Sequence, residues 1–181
     1  ATAVAAGTGG GHAPASRAVP LGPQTEVDAV SWGAYTYIAR AFPELLPASQ
    51  FGTGYQEIFG CRPVDENGKD LPVDVFVPRG RIYCIGNREP ALVVEVVCNA
   101  DRSAIAPPAT IDKAEGDERW TRPSGTGNLH WGTEPGYTRI PDRGKLRVYF
   151  DDPGRRFCYV MVTGASNGAE LRAGWWTEAP L

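Results

Sequence analysis

The side chains able to do chemistry in this chain are few and scattered. Its two histidines are His12 and His130, so a His-assisted serine or cysteine nucleophile would have to rest on His130, with Trp131 and Glu134 beside it as the nearest acid–base or metal grouping. The Gly-rich surroundings of His130 imply neither a nucleophile nor an orienting carboxylate, and it reads as a loop residue. Gly164-Ala-Ser-Asn-Gly168 matches the nucleophile-elbow pattern, but that motif needs a helix after the serine and a histidine later in the chain. No histidine follows Ser166, and the segment reads as a hairpin turn into a short strand. The strongest enzymatic grouping is Glu95, set among valines, opposite Glu57, Glu134 or Glu170 as a glycoside-hydrolase pair. A glutamate alternating with valines more commonly faces solvent or pairs with a cross-strand arginine. There is no C-x-x-C, no H-E-x-x-H and no copper-type cluster around the single Met161. Residues 65–70 place glycine too early for a calcium loop, and Gly125-Thr-Gly127 lacks the lysine of a phosphate loop. No catalytic residue, metal site or cofactor is expected.

What remains is a set of contact and cross-linking residues. The four cysteines, Cys61, Cys84, Cys98 and Cys158, allow three full pairings, or four buried thiols acting as small apolar side chains. If they are oxidised, Cys98 and Cys158 are expected to bridge, since both lie in long core strands, leaving Cys61 and Cys84 as the second candidate pair. Trp120, Trp131 and Trp176 are candidate anchors for a glycan or protein partner. In a strand, Trp175 and Trp176 would point to opposite faces, so that one reaches solvent or a partner.

The elements that must position these groups follow from periodicity. Residues 1–25 are Ala, Gly, Pro, Thr and Ser with almost no large apolar side chain, too little to fold alone. They form an expected extended arm, whose Val19 and Leu21 would be buried on a neighbouring copy. From Asp28 an N-cap, a helical apolar period and Pro43 predict one helix, with Trp32, Tyr35 and Tyr37 as packing residues. Beyond residue 54 the period becomes two. Asn67-Gly68, Gly86-Asn87, Pro153-Gly154 and Asn167-Gly168 stand between strands predicted up to residue 65 and over 71–77, 81–85, 91–98, 145–150, 156–162 and 169–177. Residues 99–135 read as a long polar connection, a place to expect partner contacts. A further strand over 136–140 brings the count to about eight, the number in a two-sheet jelly roll. The expected fold is therefore mainly β: an arm over 1–25 and a single antiparallel, jelly-roll-like sandwich over 26–181.

The chain of 181 residues carries 18 Lys plus Arg against 21 Asp plus Glu, a net charge of −3. With no basic stripe, direct nucleic-acid binding is not expected. The run from 91 to 98 is far shorter than the roughly 20 residues of a membrane span. The chain opens on Ala1 and has no Asn-x-Ser/Thr sequon; it reads as a chain from which a leader has been removed, placed outside the cell or in a virion. An arm, one helix, about eight strands and a long loop resemble viral jelly-roll coat subunits in general architecture, although no basic arm is present. The expected role is that of a non-catalytic structural subunit acting through protein–protein surfaces, its partners copies of itself. The alternative is a secreted, disulfide-stapled binding module for glycans or proteins, and the third reading is the paired-carboxylate hydrolase.

Overall fold

The computed structural model of the chain describes residues 26–108 and 110–181. The expected arm, with Val19 and Leu21, lies outside the described residues. The chain is mainly β, as its period-two segments predict, but the strands form one sheet. Seven strands, β1 (Phe59–Pro63), β2 (Arg79–Ile85), β3 (Ala91–Asn99), β4 (Lys113–Arg122), β5 (Gly125–Glu134), β6 (Arg143–Phe150) and β7 (Cys158–Gly164), lie in the order β1-β2-β3-β7-β6-β5-β4. Every neighbouring pair is antiparallel. The expected two-sheet sandwich is not seen.

Four differences account for the change, one of them the helical course of 169–177 described below. The polar stretch taken as a loop contains the longest hairpin of the sheet, β4 and β5, turning at Pro123-Ser124. The segment 71–77 has valines at alternate positions but no ladder partner; Pro72 within it and Pro78 just after it lack amide donors. Residues 136–140 make only the isolated bridge between Tyr137 and Ile140.

One face of the sheet is covered by helical turns. Asp28 caps α1 (Ala29–Trp32), its carboxylate accepting the amides of Val30 and Ser31. The predicted helix is not continuous. It breaks at Gly33 (φ 52°), where a Cβ would stand 2.5 Å from the Val73 carbonyl oxygen, and resumes as α2 (Thr36–Ala41). The left-handed backbone and this close approach both require glycine. The segment 169–177 is helical too: α3 (Gly168–Leu171) runs into a π-helical turn over Arg172–Trp176. Asn167 accepts the Glu170 amide while the Glu170 carboxylate accepts the Ser166 amide, a reciprocal cap of the kind that starts helices. Trp32, Ile38, Leu171 and Trp175 are fully buried against Ile82, Val94, Val96, Leu146, Val148 and Val160.

The other face carries a strap. β3 ends in the middle of the sheet at the end where β7 begins, whereas β4 starts at the opposite end on the far edge. The Ile105 amide bonds the Arg156 carbonyl, and a Cβ on Gly132 would come within 2.8 Å of Ile111 Cγ2. The connection thus passes from the β7 start, at Ile105, to the far face of β5, at Ile111. Val97 and Tyr159, which point away from the helices, are also buried, at 0% and 5% exposed, and the Tyr159 ring packs on Tyr149 at 5.9 Å. Burial also pushes the Tyr149 phenol up to about 12, against the opposing charge of Arg147. The Val-rich β3 is thus fully buried on the helix side at Val94, Val96 and Cys98 and at Val97 on the other, while Leu92, Val93 and Glu95 are half-buried.

Two disulfides cross neighbouring strands. Cys98 on β3 stands directly opposite Cys158 on β7 and is bonded to it; Cys61 on β1 is bonded to Cys84 on β2. They close loops with sequence separations of 60 and 23 residues. Replacing Cys98 and Cys158 together by alanine is expected to cost about 4 kcal/mol of stability, and replacing Cys61 and Cys84 about 3 kcal/mol. Denaturant unfolding of the two double variants would check the order, and non-reducing peptide mapping the pairing.

Candidate functional surfaces

The tryptophans singled out as partner anchors are engaged within the chain. Trp120 on β4 and Trp176 in the C-terminal turn are 4% and 5% exposed, meet edge to face at 5.6 Å, and share this corner with Phe150, 5.8 Å from Trp120. The Trp120 indole donates to the Tyr149 carbonyl. Gly127, directly opposite Trp120, leaves room for the ring: a Cβ there would sit 2.7 Å from its Nε1. Trp175 and Trp176 are both buried, because a helical turn replaces the alternation of a strand. Trp131 is half-buried on β5, with the Arg172 guanidinium 4.9 Å from its ring centroid and Glu118 bonded to that guanidinium. Trp120 and Trp176 are thus buried at this corner, and Trp131 is the most exposed of the three.

Arg122 holds this corner together, and nothing in the sequence marked it. Its guanidinium lies 3.7 Å from the centroid of Trp176 and donates to the carbonyls of Trp176 and Ala179, each at 2.6 Å. Burial holds its pKa below the ordinary arginine value, yet arginine stays charged throughout the working range.

The remaining chemical candidates are dispersed. His130 is an exposed strand residue, not a loop residue; it stands between Asp117 and Arg147 in register and packs edge-on to Tyr149 at 5.5 Å. Glu95 pairs with the cross-strand Arg81 at 2.9 Å. Glu134 pairs with Lys145 at 3.0 Å, Glu170 caps α3, and Glu57 is exposed in the turn before β1. Each carboxylate serves a separate partner or turn. Ser166 is followed by a helix after all, contrary to the hairpin expected there, but the left-handed residue of the turn is Ala165 (φ 49°). Among the described residues no group of three His, Cys, Asp or Glu side chains is placed to hold a metal ion.

Glu115 is a second group the sequence did not flag. It accepts from the amides of Gly168 and Ala169 at 3.2 and 2.8 Å and from the Thr133 hydroxyl, clamping the start of α3 onto the β4–β5 hairpin. Desolvation acts to raise its pKa, but the hydrogen bonds from Thr133, Ala169 and Gly168 outweigh it and hold the carboxyl below its usual value.

The exposed large apolar side chains lie elsewhere: Val30 in α1, Phe51 in the turn after α2, Phe76 in the segment before β2, and Tyr137 with Ile140 in the β5–β6 turn are 56–90% exposed, while Phe59, Val75 and Ile85 are less so. Two clefts of about 370 and 300 Å³ flank Pro78-Arg79. Val64, Leu71 and Val77 line the first; Phe76, Asn99 and Asp101 line the second.

No protein-family model, no curated protein and no solved structure matches the chain. No helix among the described residues is long and apolar enough to cross a membrane.

Two outcomes follow from these groups. Replacing Arg122 with lysine, which loses the planar fork and its stacking, should cost about 1–3 kcal/mol in denaturant unfolding. Because the folded-state pKa of Glu115 is depressed, its contribution is present above the unfolded glutamate pKa and is lost as pH falls through the lower folded value. Unfolding measured from pH 6 down to about pH 3 should show less acid-dependent loss in Glu115→Gln than in the parent chain.

Proposed function

We propose that this chain is a non-catalytic subunit of a protein assembly, acting through protein–protein surfaces on copies of itself. The observation that carries this reading is where apolar surface remains once the sheet is satisfied. Helical turns cover one face, and Ile111 of the β3–β4 connection lies on the other. Both edges are blunted: β1 is short, bulged and ends on Pro63, while β4 is bulged between Ala114 and Gly116 and presents Glu115, Asp117 and Arg119. The most exposed of the large apolar side chains, Val30, Phe51, Phe76, Tyr137 and Ile140, stand outside the strands, where a neighbouring chain can reach them, and Phe59 and Ile85 add a smaller exposed pair where β1 meets β2.

The reading rests on these surfaces and not on the two-sheet shell geometry of coat subunits. Residues 1–25, with Val19 and Leu21, enter it as a contact segment on the strength of their sequence. The formation of both disulfides favours a second reading, a secreted module that binds a glycan or another protein as a monomer. An oxidising compartment, extracellular or virion, suits both.

Native mass separates the two. Light scattering across a concentration series is expected to show oligomers, and deletion of residues 1–25 is expected to lower the mass while leaving the melting temperature within a few degrees. A chain that is monomeric at every concentration would leave only the binding module.

A further inference from the structure

We infer that copies of this chain join head to tail, the β5–β6 turn of one seating in the clefts beside Phe76 and Arg79 of the next. The inference rests on the assembly reading and names its two surfaces.

The two surfaces lie at opposite ends of the sheet. β5 ends at Glu134 and β6 begins at Arg143, so the turn between them projects from the end where β3 starts; Arg79 begins β2 at the other end, paired with Asn99. A patch at one end that meets a different patch at the other forms a heterologous contact, which propagates into rings or filaments.

The turn is a preformed knob. Tyr137 and Ile140 are 82% and 56% exposed, yet their backbones are tied by the Ile140 amide to the Tyr137 carbonyl at 2.8 Å. Asp142 accepts the Gly136 amide and pairs with Lys113. Two apolar side chains are thus held out in solvent on a fixed backbone, which lowers the ordering cost of burying them in a partner.

The clefts offer a complementary floor and charge. Val64, Leu71 and Val77 give one an apolar lining, and Phe76, 70% exposed, flanks the other. Asp65 and Glu66 stand on the first and Asp101 on the second; of the two arginines present, Arg81 is already neutralised by Glu95, leaving Arg79. The turn is basic by contrast: Arg139 stands between Tyr137 and Ile140 and Arg143 follows, while the two acids, Glu134 and Asp142, are committed to Lys145 and Lys113. An apolar knob with an excess of positive charge faces an apolar floor with an excess of negative charge, which sets partner choice and orientation.

The test uses two full-length variants, Tyr137→Ser/Arg139→Glu for the turn and Phe76→Ser/Glu66→Lys for the clefts, each checked by circular dichroism. All four positions are exposed, so both variants are expected to fold. Sedimentation velocity is expected to show the parent chain associating with concentration and each variant alone as a monomer. Their equimolar mixture should give a heterodimer and nothing larger, because each retains one working surface. A parent chain that associates while both variants associate equally well would overturn this inference and leave the assembly reading standing; so would variants that stay monomeric when mixed. A parent chain monomeric throughout would overturn both.

Discussion

The pairing of β3 with β7 is the constraint on which the rest of the molecule depends. Two meanders, β1-β2-β3 and β4-β5-β6-β7, become one sheet only through this seam, which Cys98 and Cys158 lock covalently. Because β7 occupies the free side of β3, the strand that follows β3 cannot lie beside it and is displaced to the far edge. The connection must then change ends as well as edges, and the available route is over a face. A connection that reaches the far face at Ile111 is thus a consequence of strand order.

Much of this was legible along the chain. Alternation over 81–85, 91–98, 145–150 and 156–162 falls on β2, β3, β6 and β7, and the turn dipeptides between them connect neighbours. Those strands are central, and central strands carry the β-branched residues that make the signal. β4 reads Lys-Ala-Glu-Gly-Asp-Glu-Arg-Trp-Thr-Arg, the composition of a protected edge, and β5 gives up side chains to glycines at 127 and 132 so that Trp120 and Ile111 can approach. Neither strand carries the apolar period that marks the interior of a sheet. The C-terminal turn is hard to read for a different reason: Asn167-Gly168 resembles a hairpin loop, and the feature that starts the helix, Glu170 three residues after the Asn cap, is a single polar residue beside an apolar run.

The sites were less legible than the strands. Tryptophan at a protein surface and tryptophan under an arginine have the same one-letter code, and only the cross-strand register that places Gly127 beneath Trp120 distinguishes them. Arg122 and Glu115 act through carbonyls and amides of residues about fifty positions away, contacts that leave no mark in local spacing. The cysteine pair was accessible because a disulfide needs only two strands to be neighbours.

The order of the seam also bears on how the chain is made. When β3 leaves a ribosome, its hydrogen-bonding edge and its run of valines have no partner, and Cys158 follows Cys98 by 60 residues. At ordinary rates of synthesis that interval is roughly 3–12 s. Throughout it the most aggregation-prone strand of the protein stands bare, so the yield of folded chain depends on whatever shields β3 until β7 arrives.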